Sequence, residues 1–158
     1  MEWIETNLGT QITHVNIIGS AFGKTPEGDW DIYVFLNGEP GHFVVVDGKT
    51  LSVVHDFPVP GTDGAYAVMQ ASDGNIYAGS KPNGHLYRYK PGSGNLEDLG
   101  RVSEIASFVW EMTEAPGGRL FLAMYPESEV IEYNTATGEF HNWGPAKKGE
   151  DYCRSITW

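Results

Sequence analysis

Asp73-Gly74-Asn75-Ile76-Tyr77-Ala78-Gly79 and Gly117-Gly118-Arg119-Leu120-Phe121-Leu122-Ala123 lie 44 residues apart in the chain. The alignment continues without a gap on both sides. Tyr66 meets Trp110, Ala71 meets Ala115 and Pro82 meets Pro126. Leu86 meets Val130, Tyr89 meets Tyr133, Gly94 meets Gly138, Leu96 meets Phe140, Leu99 meets Trp143 and Gly100 meets Gly144. Glycines, a proline and aromatic residues kept in one register mark a structural repeat. A looser copy precedes these two. Ile32-Tyr33 stands 44 residues before Ile76-Tyr77, Phe43 and Val46 match Leu86 and Tyr89 within a residue, and Asp47-Gly48 falls where Pro91 to Gly94 stand later. A further copy begins near the C-terminus, where Tyr152 and Ile156 follow Phe108 and Met112 by the same period. Trp3 to Gly9 reads like the last segment of a repeat, comparable with Leu96 to Gly100.

Within one copy, four short apolar or alternating runs alternate with turn signals. In the second they are Tyr66 to Ala71, Asn75 to Gly79, Leu86 to Tyr89 and Asn95 to Leu99. Ser72-Asp73-Gly74 and Pro91-Gly92-Ser93-Gly94 separate them with residues that favour turn entry or accept positive φ. Runs of about five residues rich in Tyr, Val, Ile and Phe predict strands. No stretch shows a sustained helical period.

Composition sets outer limits. The 158 residues suggest one domain, and 41% hydrophobic content supplies a core. Twenty Gly and nine Pro fit a chain that turns often. A net charge of −11 argues against a nucleic-acid or anionic-membrane partner. Cys153 is the single cysteine, so there is neither an intrachain disulfide nor a multi-cysteine metal site. No apolar run has the length of a membrane span. Met1-Glu2-Trp3-Ile4-Glu5 does not open like a signal peptide. The expectation is a soluble protein whose compartment stays open.

Four strands in about 44 residues is the size of one β-propeller blade. The pattern Asp/Gly-Gly-x-Ile/Leu-Tyr/Phe-x-Gly/Ala, followed by Pro82 or Pro126, then an aliphatic residue three before Tyr89 or Tyr133, resembles blades of streptogramin-lyase-like and NHL-like propellers. Propeller-type polysaccharide lyases have similar blades. The resemblance spans nearly the whole chain. It implies an all-β fold: a partial β-propeller of about three four-stranded blades, with an N-terminal outer strand and a C-terminal inner strand. The repeats run over about 10–61, 62–106 and 107–151, and an incomplete one starts at 152. An open ring exposes apolar blade faces. The remaining blades are expected from the same longer chain or from another copy.

In such blades the loops after the second and fourth strands share a face, and ligands bind there or in the channel. Leu36–His42, Ser80–His85 and Met124–Glu129 form one set of these loops, and Gly61–Ala65, Gly100–Ser107 and Gly144–Asp151 the other. A lyase needs a base to take the proton next to a carboxylate and an acid to protonate the leaving oxygen. His85 and Tyr125 are the candidates for those roles. His42, Lys81, Arg101, Trp110, Glu127 and Arg154 are candidate ligand-binding residues, the cations suiting an acidic sugar. Strict alternation along the first strand places Trp110 and Met112 on one side and Glu111 on the other. Glu111 is the position where a divalent cation is considered; otherwise no metal-ligand set and no cofactor motif is present. Each of these residues can equally be an ordinary solvated or packing group.

Two functional readings follow. One is a propeller that binds a carbohydrate or other small molecule on its loop face, belonging to a polysaccharide-lyase-like enzyme if it is catalytic. The other is a noncatalytic propeller that binds a protein. Fold alone does not choose between them.

Overall fold

A computed structural model describes residues 17–158. The outer strand expected over Trp3–Gly9 lies outside them. Among the described residues, twelve strands form three antiparallel meanders. The first sheet contains β1 (Ile17–Lys24), β2 (Trp30–Leu36), β3 (Gly41–Asp47) and β4 (Val53–Val59). The second contains β5 (Gly64–Gln70), β6 (Ile76–Lys81), β7 (His85–Tyr89) and β8 (Leu96–Arg101). The third contains β9 (Phe108–Ala115), β10 (Arg119–Tyr125), β11 (Glu129–Asn134) and β12 (Phe140–Pro145). There is no helix among the described residues. The sheets stand side by side, with β1 next to β5 and β5 next to β9. This is the radial arrangement of propeller blades.

Alternation along each strand explains the stacking, because successive side chains point to opposite faces. In β6, Ile76 and Ala78 face the first sheet and join Tyr33, Phe35, Phe43 and Val45 in one core. Tyr77 faces the other way and, with Leu86, meets Leu120, Leu122, Met124 and Ile131 in a second core. Every residue of β6 is therefore buried. The outer strands β4, β8 and β12 stay largely exposed. Equivalent contacts recur one blade on: Tyr33 lies 5.8 Å from Tyr89 between ring centroids, and Tyr77 lies 5.9 Å from Tyr133.

Polar links repeat in the same way. Gln70 accepts from Lys24 N at 2.8 Å and donates to Lys24 O at 2.9 Å, tying the second blade to the first. Glu114, one period later, accepts from Ser72 N at 2.7 Å. On the far side of the third blade, Arg119 holds Glu132 through two bonds of 2.7 and 2.9 Å, and Trp143 Nε1 donates to the same carboxylate. The Arg119 guanidinium holds the Glu132 carboxyl below the usual carboxylate range.

One expected element differs. Residues 151–158 adopt no strand. They do run along the expected track, since Cys153 N donates to Met124 O at 3.1 Å and Ser128 N donates to Asp151 O at 2.8 Å. An inner strand is fixed by the second strand of its own blade. No such partner for 152–158 is among the described residues, so the segment makes isolated bonds and no ladder.

Two outcomes test this packing. A Cβ built on Gly79 would overlap the buried side chain of Val109 on the next blade. Gly79→Ala should lower stability by about 1–3 kcal/mol, the usual effect of overpacking, and Val109→Ala in the same chain should restore part of the loss. Denaturant unfolding of the four variants of the cycle measures both effects. The second outcome concerns acid. Because the folded-state carboxyl of Glu132 titrates low, its stabilisation is complete above the ordinary carboxylate range and is lost as pH falls through the lowered value. Melting temperature against pH should therefore fall less steeply on the acid side for Glu132→Gln than for the unaltered chain.

Candidate functional site

Each inner strand carries a bulge near its loop-side end. The pairing of β1 with β2 skips Ile18, that of β5 with β6 skips Tyr66, and that of β9 with β10 skips Trp110. An extra residue in one strand bends it and re-aims the side chain. Ile18, Tyr66 and Trp110 thus come into one row, and Arg154, a period after Trp110, continues it. All four line a cleft of about 510 Å³ on the inner strands, together with Glu111 and Met112. Glu111 was expected on the opposite side from Trp110. A bulge falls at Trp110, and both residues border the cleft, while Met112 is buried against the second blade and Glu111 bonds the C-terminal segment.

Aromatic rings extend this row towards the loops. Tyr66 stacks on Trp110 with centroids 4.3 Å apart. Phe108 lies 6.1 Å from Trp110 and 5.4 Å from Tyr125, and Tyr125 stacks on Tyr152 at 4.4 Å. Hydrogen bonding to the Tyr152 hydroxyl pushes the Tyr125 phenol above its ordinary range. Two cations sit on the rings. Lys81 Nζ is 5.4 Å from the centre of Tyr66 and 5.9 Å from that of Phe108. The Arg154 guanidinium is 4.8 Å from Trp110 and 5.1 Å from Tyr152.

The two cations differ in surroundings. The Lys81 side chain is 10% exposed and pairs with Asp63 at 2.6 Å. Asp63 lies in the segment between β4 and β5, and its carbonyl accepts from Gly38 N at 3.1 Å. The loops after the second and fourth strands therefore lie together on one face. Val102 N to Gly84 O and Ala146 N to Ser128 O, at 3.0 and 2.8 Å, repeat the arrangement. Arg154 is exposed and has no carboxylate partner among the described residues.

The histidines lie further out in the blades. His42 Nδ1 bonds Asp56 at 2.6 Å, and His85 Nδ1 bonds Asp98 at 2.9 Å, each joining a third strand to the fourth. Glu129 takes the equivalent place in the third blade, accepting from Asn142 Nδ2 at 2.7 Å and from Ser103 Oγ. His85 and Tyr125 thus hold separate partners. Arg101 is exposed at the end of β8, opposite His85. Glu127 is exposed in the loop after β10 with φ of 66°, and the buried Ser128 beside it has φ of 45°. The structure groups Lys81, Trp110, Tyr125 and Arg154 through shared ring contacts and leaves His42, His85, Arg101 and Glu127 outside the group.

Tyr66, Phe108 and Tyr152 join the aromatic row; the sequence places Tyr152 in the channel-lining set and Tyr66 at the position equivalent to Trp110, and gives Phe108 only as a repeat partner. Their common signal is the repeat column, with Tyr66 over Trp110 over Arg154 and Phe108 over Tyr152. Glu111 Oε2 accepts from Ile156 N at 2.9 Å. Among the described residues no three His, Cys, Asp or Glu side chains gather as a metal site would require.

Comparison with known proteins bears on the fold. No protein-family model and no curated protein matches the sequence. Among solved structures, virginiamycin B lyase from Staphylococcus aureus aligns with a TM-score of 0.64 at 10% identity, over 80% of this chain and 41% of that one. A catalytically inactive variant of that enzyme with quinupristin aligns at 0.65 with 14% identity and the same coverage. The WD40 repeats of RRP9 align at 0.61 with 13% identity, over 89% of this chain and 41% of that one. The chain therefore spans about two fifths of each of these proteins. The likenesses show the fold, a partial β-propeller. The same architecture appears in a WD40 protein, while the single Trp-Asp pair here, Trp30-Asp31, opens β2 and does not end a strand.

The Lys81–Asp63 pair gives a direct check on the site's framework. Asp63→Asn leaves an ammonium largely buried against Tyr66 and Phe108, and should cost about 1–3 kcal/mol. Lys81→Met removes the charge itself and should cost less. Unfolding midpoints of the two variants rank them.

Proposed function

We propose that this chain supplies the ligand-binding part of a propeller and that its inner, loop-side cleft takes a carbohydrate. The observation that supports this reading is the continuous run of Tyr66, Trp110, Phe108, Tyr125 and Tyr152 beside the cleft, with charged groups at its edge. A sugar ring has an apolar CH face and a rim of hydroxyls. Tyr66 and Trp110, which line the cleft, can pack against the first, and Glu111, Ser155 and Arg154 offer hydrogen-bonding groups to the second. Binding without turnover accounts for the geometry more simply than a lyase. Tyr125 stands beside the aromatic row, but His85 is engaged with Asp98 between β7 and β8. A protein partner is the competing reading, drawn from the WD40 likeness.

Calorimetric titration with a panel of neutral and uronate-containing oligosaccharides tests the proposal. Binding is expected for at least one of them, with Trp110→Ala weakening it about tenfold or more, as removal of a central aromatic contact does. Ultraviolet absorbance of an unsaturated uronate should not grow during incubation. Absence of heat for every oligosaccharide at millimolar concentration would overturn the carbohydrate reading. Growth of that absorbance would return the chain to the lyases.

A further inference from the structure

We propose that residues 154–158 form a strap that closes one end of the cleft, and that a single bond, from Ile156 N–H to Glu111, keeps the strap shut. The strap stands whichever ligand the cleft takes; only the ligand arm of its test rests on the carbohydrate reading above.

The backbone shows where the strap begins. Up to Cys153 the C-terminal segment is tied to the third blade by main-chain bonds, Ser128 N to Asp151 O at 2.8 Å and Cys153 N to Met124 O at 3.1 Å. Beyond Cys153, the one hydrogen bond to a blade among the described residues runs from Ile156 N to Glu111 Oε2, at 2.9 Å. Side chains supply the rest of the hold. The Arg154 guanidinium rests on Trp110 and Tyr152, and the Trp158 ring lies 6.5 Å from that of Phe121 between centroids, at 11° to it. Trp158 is nonetheless 73% exposed. A stretch with few buried contacts and no ladder opens at lower cost than the sheets beneath it.

Its position gives this opening a consequence. Arg154 and Ser155 line the cleft together with Glu111. The residue that holds the strap thus belongs to the wall that the strap completes. Opening takes two lining residues away, and a ligand that touches them shifts the strap towards its closed state.

Cys153, at the base of the strap, reports which state is present. Its thiol is partly buried, with Sγ 4.0 Å from Ser155 O. Burial, and after it the charge of Glu111, pushes the thiol above its ordinary range. The closed state therefore reacts slowly with disulfide reagents, because both access and thiolate are reduced.

The test follows the reaction of Cys153, the only cysteine, with dithiobis(nitrobenzoate) at fixed pH. Ile156→Pro removes the N–H donor and leaves the Glu111 charge in place. It should speed the reaction about threefold to tenfold, the scale of one lost hydrogen bond. Thr157→Pro is the control, since the Thr157 N–H makes no hydrogen bond among the described residues; it should react like the unaltered chain. Melting curves of both variants should coincide with that of the unaltered chain, because the strap lies outside the sheets. In the ligand arm, an oligosaccharide that binds in calorimetry should slow the reaction of the unaltered chain at saturation. An Ile156→Pro chain that reacts no faster than Thr157→Pro overturns the strap, as does a bound oligosaccharide that leaves the rate unchanged. If no oligosaccharide binds, the carbohydrate reading fails and the rates of the two variants still decide for or against the strap.

Discussion

Between the second and third blades, Tyr77 and Leu86 press against Leu120, Leu122 and Ile131, and Gly79 allows the Val109 side chain to lie directly on the backbone of β6. That close approach governs what the inner strands can do. Packed sheets ordinarily stand about 10 Å apart. Rings projecting from adjacent inner strands meet at 4.3 Å only because blades converge towards the axis and because each strand bulges at the same level. The apolar interblade faces therefore determine the aromatic row as surely as the aromatic residues do. Tyr66 and Trp110 are left out of their ladders as bulged residues, whereas Phe108 and Tyr125 pair with each other across β9 and β10.

The three blades also show how a single framework position accommodates different chemistry. At the start of the third strand stand His42, His85 and Glu129, and their fourth-strand partners are Asp56, Asp98 and Asn142. In each blade a polar pair closes the edge between the third and fourth strands. The same His–Asp bond recurs in the first two blades. Arg154 differs from its counterparts Tyr66 and Trp110, which are aromatic. The row changes from rings to a cation at the point where it reaches the C-terminal segment.

Much of the architecture was legible in the sequence because its signals are local. Gly74 and Gly118 occupy left-handed turns one period apart, with φ of 82° and 72°, where a side chain would be strained. Ile76 and Tyr77 occupy opposite faces as strand alternation requires. The bulges were not legible. A bulge changes neither composition nor hydropathy, and it appears only when the opposing strand fixes the register. The lack of a ladder over residues 151–158 was hidden for a similar reason: apolar spacing predicts where a strand would run, but pairing depends on a neighbour. Trp110 and Arg154 were legible as channel candidates, whereas the pairing of His85 with Asp98 depends on contact across strands and left its sequence-based role without geometric support.

The difference between Lys81 and Arg154 ties the fold to the site. An ammonium close to Tyr66 and Phe108 has lost most of its water, and burial of an unpaired charge is strongly unfavourable. Asp63 supplies the counter-charge, and its backbone simultaneously joins the loop after β2 to the start of β5. Lysine at this point belongs to the framework. A guanidinium is more weakly hydrated, spreads its charge over a plane and stacks on aromatic rings. Arg154 can therefore sit on Trp110 and Tyr152 without an internal carboxylate, at a position where solvent still reaches its donors. The aromatic row explains how it is accommodated without an internal carboxylate.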